Sequence, residues 1–119
     1  VTEALHSNTS LQRLSLASSS IDSSGAVALG KALRMNTSLR ELNVSFNKID
    51  RGGAVALAQA LKSNRTLQTL DLRENQVGLK GASTLREAAR CSGTQVNLGI
   101  EDANGDGSAG KSLSEKMSL

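Results

Sequence analysis

The chain has 119 residues and a formal net charge of +3, with one phenylalanine and no tryptophan, tyrosine or proline. Its charges are interspersed, without a basic run or neighbouring aromatic residues, which argues against a nucleic-acid-binding surface. A single cysteine, Cys91, allows no internal disulfide and favours a reducing, cytoplasmic compartment. No stretch approaches the about 18 consecutive apolar residues of a membrane-spanning helix, so we expect no membrane insertion.

The first ten residues match the end of a repeat whose beginning is missing. Ala4 and Leu5 correspond to the end of a helix in the later repeats. We therefore expect a partial repeat over 1–10, in a fragment of a larger array. Its uncapped first layer, around Leu5, Leu11 and Leu14, should pack end to end on further repeats or self-associate. His6, the only histidine, lies at a predicted helix end without a catalytic partner.

Three segments align without a gap and begin at Leu11, Leu39 and Leu67, a period of 28 residues. Each reads L-x-x-L-x-L-x-x-N-x-I, with some conservative replacements, followed by x-x-x-G-A and a helical stretch. The L-x-L part alternates as a strand with one buried face does. Later apolar residues recur at helical spacing and predict a helix with one buried face. In the second repeat these residues are Ala54, Leu57, Ala58 and Leu61.

Two further positions of the repeat have a structural interpretation. Asn47 and Asn75 follow the predicted strands, where a side-chain amide can bond the backbone of the turn and of the neighbouring repeat. The first repeat has Ser19 there. A glycine precedes the alanine of each predicted helix and lets the helix approach the strand closely. These glycines are Gly25, Gly53 and Gly81.

The pattern changes after the third repeat. Gly93 predicts the end of the last helix, and the alternating residues that follow predict a closing strand over 96–100. Residues 101–119 are rich in glycine, serine and charge, which is typical of a flexible tail. The sequence therefore divides into repeats over 1–100 and a tail over 101–119.

The tail contains two motif-like strings. Residues 105–112 match the phosphate loop G-x-x-x-x-G-K-S, with Lys111 and Ser112 in the ligand positions. This leaves open an array attached to an NTPase or GTPase domain, although no buried strand precedes the string. Asp102, Asn104 and Asp106 resemble part of a calcium loop, but Leu113 stands where its bidentate acid belongs. We interpret the tail as a linker and expect no cofactor, metal site or catalytic residue.

The recurring motif resembles the leucine-rich repeat family, in its longer ribonuclease-inhibitor-like class, over roughly residues 1 to 98. The resemblance implies an α/β solenoid, a horseshoe segment with parallel strands on a concave face and helices on the convex face. It also implies a non-catalytic scaffold that binds a protein partner. The parent protein would be an intracellular regulator, a receptor, or a cytoskeletal or ciliary protein. A purely structural array, which binds nothing through its concave face, is the alternative.

The predicted partner-binding site consists of residues that flank the strand leucines on the concave face. Phe46 and Arg73 are the expected anchors, because aromatic and arginine side chains dominate many interfaces. Glu41 and Asp71 would set the charge preference. Alternatively, Phe46 folds over the edge of the array and packs on its neighbours. The full set is Arg13, Ser15, Glu41, Asn43, Ser45, Phe46, Thr69, Asp71, Arg73 and Glu74.

Four asparagines begin an N-x-S/T sequence, which resembles a glycosylation acceptor. They are Asn8, Asn36, Asn43 and Asn64. The repeat itself accounts for the recurrence of three of them, and in a reducing compartment all four would stay unmodified.

Overall fold

The computed structural model describes residues 8–99, which form three strand–helix units followed by a fourth strand. Both kinds of element recur with the period of the sequence, because each repeat supplies the same alternating and helical segments. The elements are β1 (Arg13–Ser15), α1 (Ser23–Met35), β2 (Glu41–Asn43), α2 (Arg51–Ser63), β3 (Thr69–Asp71), α3 (Gly78–Ser92) and β4 (Gln95–Asn97).

The four strands form one parallel sheet in chain order. Its register joins equivalent residues of successive repeats, so that Leu14 pairs with Leu42, Leu42 with Leu70 and Leu70 with Val96. The helices form a second layer, in which α1 packs on α2 and α2 on α3. The predicted α/β architecture with parallel strands is confirmed, whereas the horseshoe curvature and the ribonuclease-inhibitor-like class stay predictions.

The apolar core lies between the sheet and the helices. The four residues predicted to form the buried face of α2, Ala54, Leu57, Ala58 and Leu61, are each at most 1% exposed. Leucines from the strands meet this face from the other side and are equally buried in the second and third repeats. The corresponding residues of the first repeat are only partly buried; they are Leu11, Leu14, Leu16 and Ile21.

The glycines before the helical alanines allow close packing, but mainly between helices. A Cβ atom added to Gly53 would lie 2.8 Å from Ile49 Cγ2 and 2.9 Å from the Cβ of Ala26 in the preceding helix. At Gly81 the added atom would lie 3.2 Å from the Cβ of Ala54. The prediction that these glycines let the helix approach the strand is therefore corrected. Gly53 and Gly81 instead contact the preceding helix and the apolar residue four positions before them, Ile49 or Val77.

The helix ends differ between repeats. The Asp22 and Asp50 side chains accept hydrogen bonds from the third residues of α1 and α2, Gly25 N at 3.1 Å and Gly53 N at 3.3 Å. Such bonds satisfy backbone donors that the first helical turn leaves free. The equivalent residue of α3 is Gly78, with φ of +74°, and α3 has no side-chain cap. At its other end α3 stops at Gly93, in the left-handed conformation, as predicted.

The closing strand is shorter than predicted and begins one residue earlier. β4 comprises Gln95–Asn97, and Leu98 is buried although it follows the strand. Residue 100, the tail over 101–119, the phosphate-loop string at 105–112 and the calcium-like loop lie outside the described residues. So do His6 and most of the partial repeat over 1–10. Among the helices of residues 8–99, none combines the length and apolar character needed to cross a membrane.

Candidate protein-binding face

The exposed side of the sheet presents two columns of side chains across the strands. Successive strand residues point to opposite faces, so the central apolar residue of each strand, which faces the helices, leaves its two neighbours on the outer side. A shallow groove of about 480 Å³ runs across the first three strands on this side. We call this surface the strand face; it comprises Arg13, Ser15, Glu41, Asn43, Thr69, Asp71, Gln95 and Asn97.

Opposite charges on and beside the strand face are paired with each other. Arg13 Nε lies 3.6 Å from Glu41 Oε1 across the strand pair. The guanidinium of Arg73 donates to Asp71, from Nη2 to Oδ2 at 2.9 Å and from Nε to Oδ1 at 3.0 Å. This hydrogen-bonded carboxylate raises the pKa of Arg73 above its ordinary value. A partner would therefore meet neutral pairs here, and Arg73 would contact it as half of a pair rather than as a free cation.

A tight turn after each of the first three strands carries a side chain at the edge of the strand face. Ser18, Phe46 and Glu74 occupy equivalent positions with φ between +56° and +59°. The backbone N–H of Phe46 donates to the carbonyl of Arg73 at 2.9 Å, which ties this turn to the next repeat. The Phe46 side chain remains 57% exposed. A left-handed aromatic residue costs on the order of 1 kcal/mol, so this fixed turn holds an apolar side chain where solvent or a partner can reach it.

Ser45 is the predicted site residue that the fold removes from the surface. It is only 2% exposed, and its hydroxyl donates to Asn43 Oδ1 at 2.7 Å. Its backbone N–H donates to the same oxygen at 2.9 Å. The prediction that Ser45 contacts a partner is therefore wrong, and its side chain instead orients the half-buried Asn43.

The asparagines after the strands join neighbouring repeats as predicted. Asn47 Nδ2 donates to the carbonyl of Leu16 in the preceding repeat at 3.0 Å and to that of Val44 at 2.9 Å. Its Oδ1 accepts from the backbone N–H groups of Ser19 and Ile21. Asn75 likewise joins the second and third repeats, donating to the carbonyl of Val44 at 2.9 Å.

A second series of asparagines performs the same task at the helix ends, a role that was not predicted from the sequence. Asn36 and Asn64 follow α1 and α2 and are each 3% exposed. Asn36 Nδ2 donates to the carbonyl of Asn8 at 3.0 Å, one repeat earlier. The 28-residue recurrence could have revealed this role. Burial also makes Asn36 and Asn64 poor glycosylation acceptors in the folded chain.

Groups that could carry chemistry are sparse in the described part of the chain. Across residues 8–99, no cluster of three or more His, Cys, Asp or Glu side chains could hold a metal ion. Cys91 is an exposed free thiol near the end of α3.

Repeated strand–helix units, an in-register parallel sheet and asparagines that join successive units define a leucine-rich repeat protein. The family model of the TMOD/LMOD leucine-rich domain matches residues 1–91. The chain therefore belongs to this tropomodulin and leiomodin leucine-rich domain family.

Two solved structures resemble the chain. A structure of leiomodin-1 actin-binding site 2 is 28% identical, with a TM-score of 0.74, and the match covers 84% of this chain and 60% of that one. The tropomodulin C-terminal domain of Caenorhabditis elegans is 13% identical, with a TM-score of 0.72 over 82% of this chain and 59% of that one. The latter likeness concerns the fold alone. The chain thus spans about three fifths of either structure. No curated protein matched the chain.

Proposed function

We propose that this chain is a non-catalytic, actin-binding segment of an intracellular cytoskeletal protein. The single observation that carries the proposal is the likeness to leiomodin-1 actin-binding site 2, at 28% identity and a TM-score of 0.74. Membership of the TMOD/LMOD leucine-rich domain family supports it. The alternative of an attached nucleotide-binding domain depends on residues 105–112, and no described geometry favours it.

We place the contact with actin on the strand face and the adjoining turns. Phe46 supplies an exposed aromatic side chain on a backbone held by hydrogen bonds, so little conformational entropy is lost when it is covered. The paired charges beside it contribute specificity more than affinity. The proposed contact residues are Arg13, Ser15, Glu41, Asn43, Phe46, Thr69, Asp71, Arg73 and Glu74.

Sedimentation of the full chain with actin filaments tests the proposal. Wild type should pellet with the filaments, and Phe46→Ala should weaken binding about tenfold or more, as expected for an aromatic interface anchor. Val27→Ala is the matched control, because Val27 is an exposed apolar residue on the helix layer. Wild type that stays in the supernatant refutes the actin proposal. Equal binding by wild type and Phe46→Ala refutes the placement of the contact.

A further inference from the structure

The fold collects basic residues that are scattered through the sequence. Arg34, Lys62 and Arg90 are one repeat apart, and each lies in the last turn of its helix. Because the three helices are packed side by side at the same phase of the repeat, these residues form a row. Arg40 and Arg65 lie in the adjoining segments between helix and strand and are also exposed. We call these five residues the basic rim.

Within residues 8–99, the segments that carry the basic rim contain no acidic residue. In the described part of the chain, the last turn of each helix and the loop that leads to the next strand comprise residues 32–40, 60–68 and 89–94. These segments contain neither aspartate nor glutamate. Glu87 lies three residues before Arg90 in α3, so it adjoins the Arg90 end of the row. Glu41 faces Arg13 on the strand face. Neither the Arg13–Glu41 pair nor the Arg73–Asp71 pair involves the rim.

The opposite rim, where the strands end and the helices begin, has mixed charge. Its basic residues, Lys48, Arg51 and Lys80, lie among the acids Asp22, Asp50 and Glu74. Cations at helix C-termini do favour the helix dipole, and Arg65 Nη1 lies 3.4 Å from the carbonyl oxygen of Cys91. These interactions explain why cations suit helix ends, but neither provides a negatively charged side chain that neutralises the rim. They also do not account for Arg40, which precedes a strand.

We propose that the basic rim is a docking surface for a carboxylate-rich segment of a protein partner. The identification of that partner as actin rests on the proposed function, whereas the charge preference rests on the rim alone. Exposed cations of one sign steer an acidic partner and make its association sensitive to salt. Nucleic acid is disfavoured, because the described rim has no aromatic side chain on which bases could stack.

The test compares two triple variants of the full chain that change net charge equally. The rim variant carries Arg34→Gln, Lys62→Gln and Arg90→Gln. The control carries Lys48→Gln, Arg51→Gln and Lys80→Gln on the opposite rim. Thermal unfolding followed by circular dichroism selects folded proteins, and the double variant Arg34→Gln with Lys62→Gln replaces the rim variant if that one does not fold. Arg34→Lys with Arg90→Lys is the charge-preserving control. The probes are actin filaments, a poly-glutamate peptide, a single-stranded DNA oligonucleotide and phosphatidylserine vesicles, each at low and at physiological salt.

At low salt the rim variant should bind actin and poly-glutamate about tenfold more weakly, since each exposed pair contributes roughly a factor of two. The control should bind like wild type, and the Lys pair should retain binding. Equal losses in both triple variants, or no loss in the rim variant, would overturn the proposal. Stronger rim-dependent binding of DNA or vesicles than of poly-glutamate would also overturn it. Rim-dependent binding of poly-glutamate without any binding to actin would support the rim and refute only the actin assignment.

Discussion

Replacing Asn64 by alanine should break the connection between the first two repeats at their helix ends. Asn64 Nδ2 donates to the carbonyl of Leu33 at 2.8 Å and to that of Asn36 at 3.1 Å. Its Oδ1 accepts from the backbone N–H groups of Thr66 at 2.8 Å and Leu67 at 2.7 Å. One buried side chain thus satisfies four backbone groups, two in the first repeat and two where the second repeat meets the third.

The expected cost follows from the groups that alanine would leave without a partner. The N–H of Leu67 and the carbonyls of Leu33 and Asn36 are buried at these hydrogen bonds. A buried unsatisfied group costs about 1–3 kcal/mol, and some water can enter the space that the side chain leaves. We therefore expect a loss of about 3–5 kcal/mol, a large part of the roughly 5–14 kcal/mol available to a domain of this size.

Urea denaturation measures this loss as a shift in the unfolding midpoint. With a slope of about 2 kcal/mol per molar urea, the midpoint of Asn64→Ala should fall by about 2 M. Asn8→Ala is the control, because Asn8 occupies the same repeat position but is exposed, and its Oδ1 accepts from Ser10 and Leu11. Equal shifts in the two variants, or a shift below about 0.5 M in Asn64→Ala, would refute the reasoning.

Two further perturbations test the packing and the capping of α2. Gly53→Ala should cost about 1–3 kcal/mol, because the new Cβ would lie 2.8 Å from Ile49 Cγ2. Gly52→Ala, whose Cβ would come no closer than 3.4 Å to Asp50 Oδ1, should be neutral or stabilising, and equal thermal shifts would contradict the packing argument. The pKa of Asp50 is lowered, first by the hydrogen bond from the Ser23 hydroxyl and then by backbone N–H groups. Stability from this carboxylate is therefore present above about pH 4 and lost as pH falls through its lowered pKa. The melting temperature of Asp50→Asn should therefore fall less than that of wild type as the pH is lowered below about 4. If the melting temperatures of the two proteins fall in parallel with pH, Asp50 does not contribute in this way.

The sequence predicted the repeat, the parallel sheet and the post-strand asparagines because each depends on contacts that recur every 28 residues. It did not predict the burial of Ser45, because alternation along a strand does not continue through the turn that follows. There the chain bends at Phe46, and Ser45 folds beneath Asn43. The pairing of Asp71 with Arg73 was also missed. Asp71 ends β3 and Arg73 lies two residues later in the turn, so in the sequence they look like independent surface charges. Only the side-chain geometry joins them.

The charge arrangement shows how one period produces two kinds of surface. A 28-residue spacing places equivalent residues side by side, so the sign of successive charges decides what each column does. On the strand face, Arg13 and Glu41 have opposite signs and pair within the array. In the helix-end column, Arg34 and Lys62 have the same sign and cannot pair with each other. Interspersed charge in a repeat sequence is therefore no argument against a concentrated charged surface, since the phase of the charges within the repeat determines where they gather.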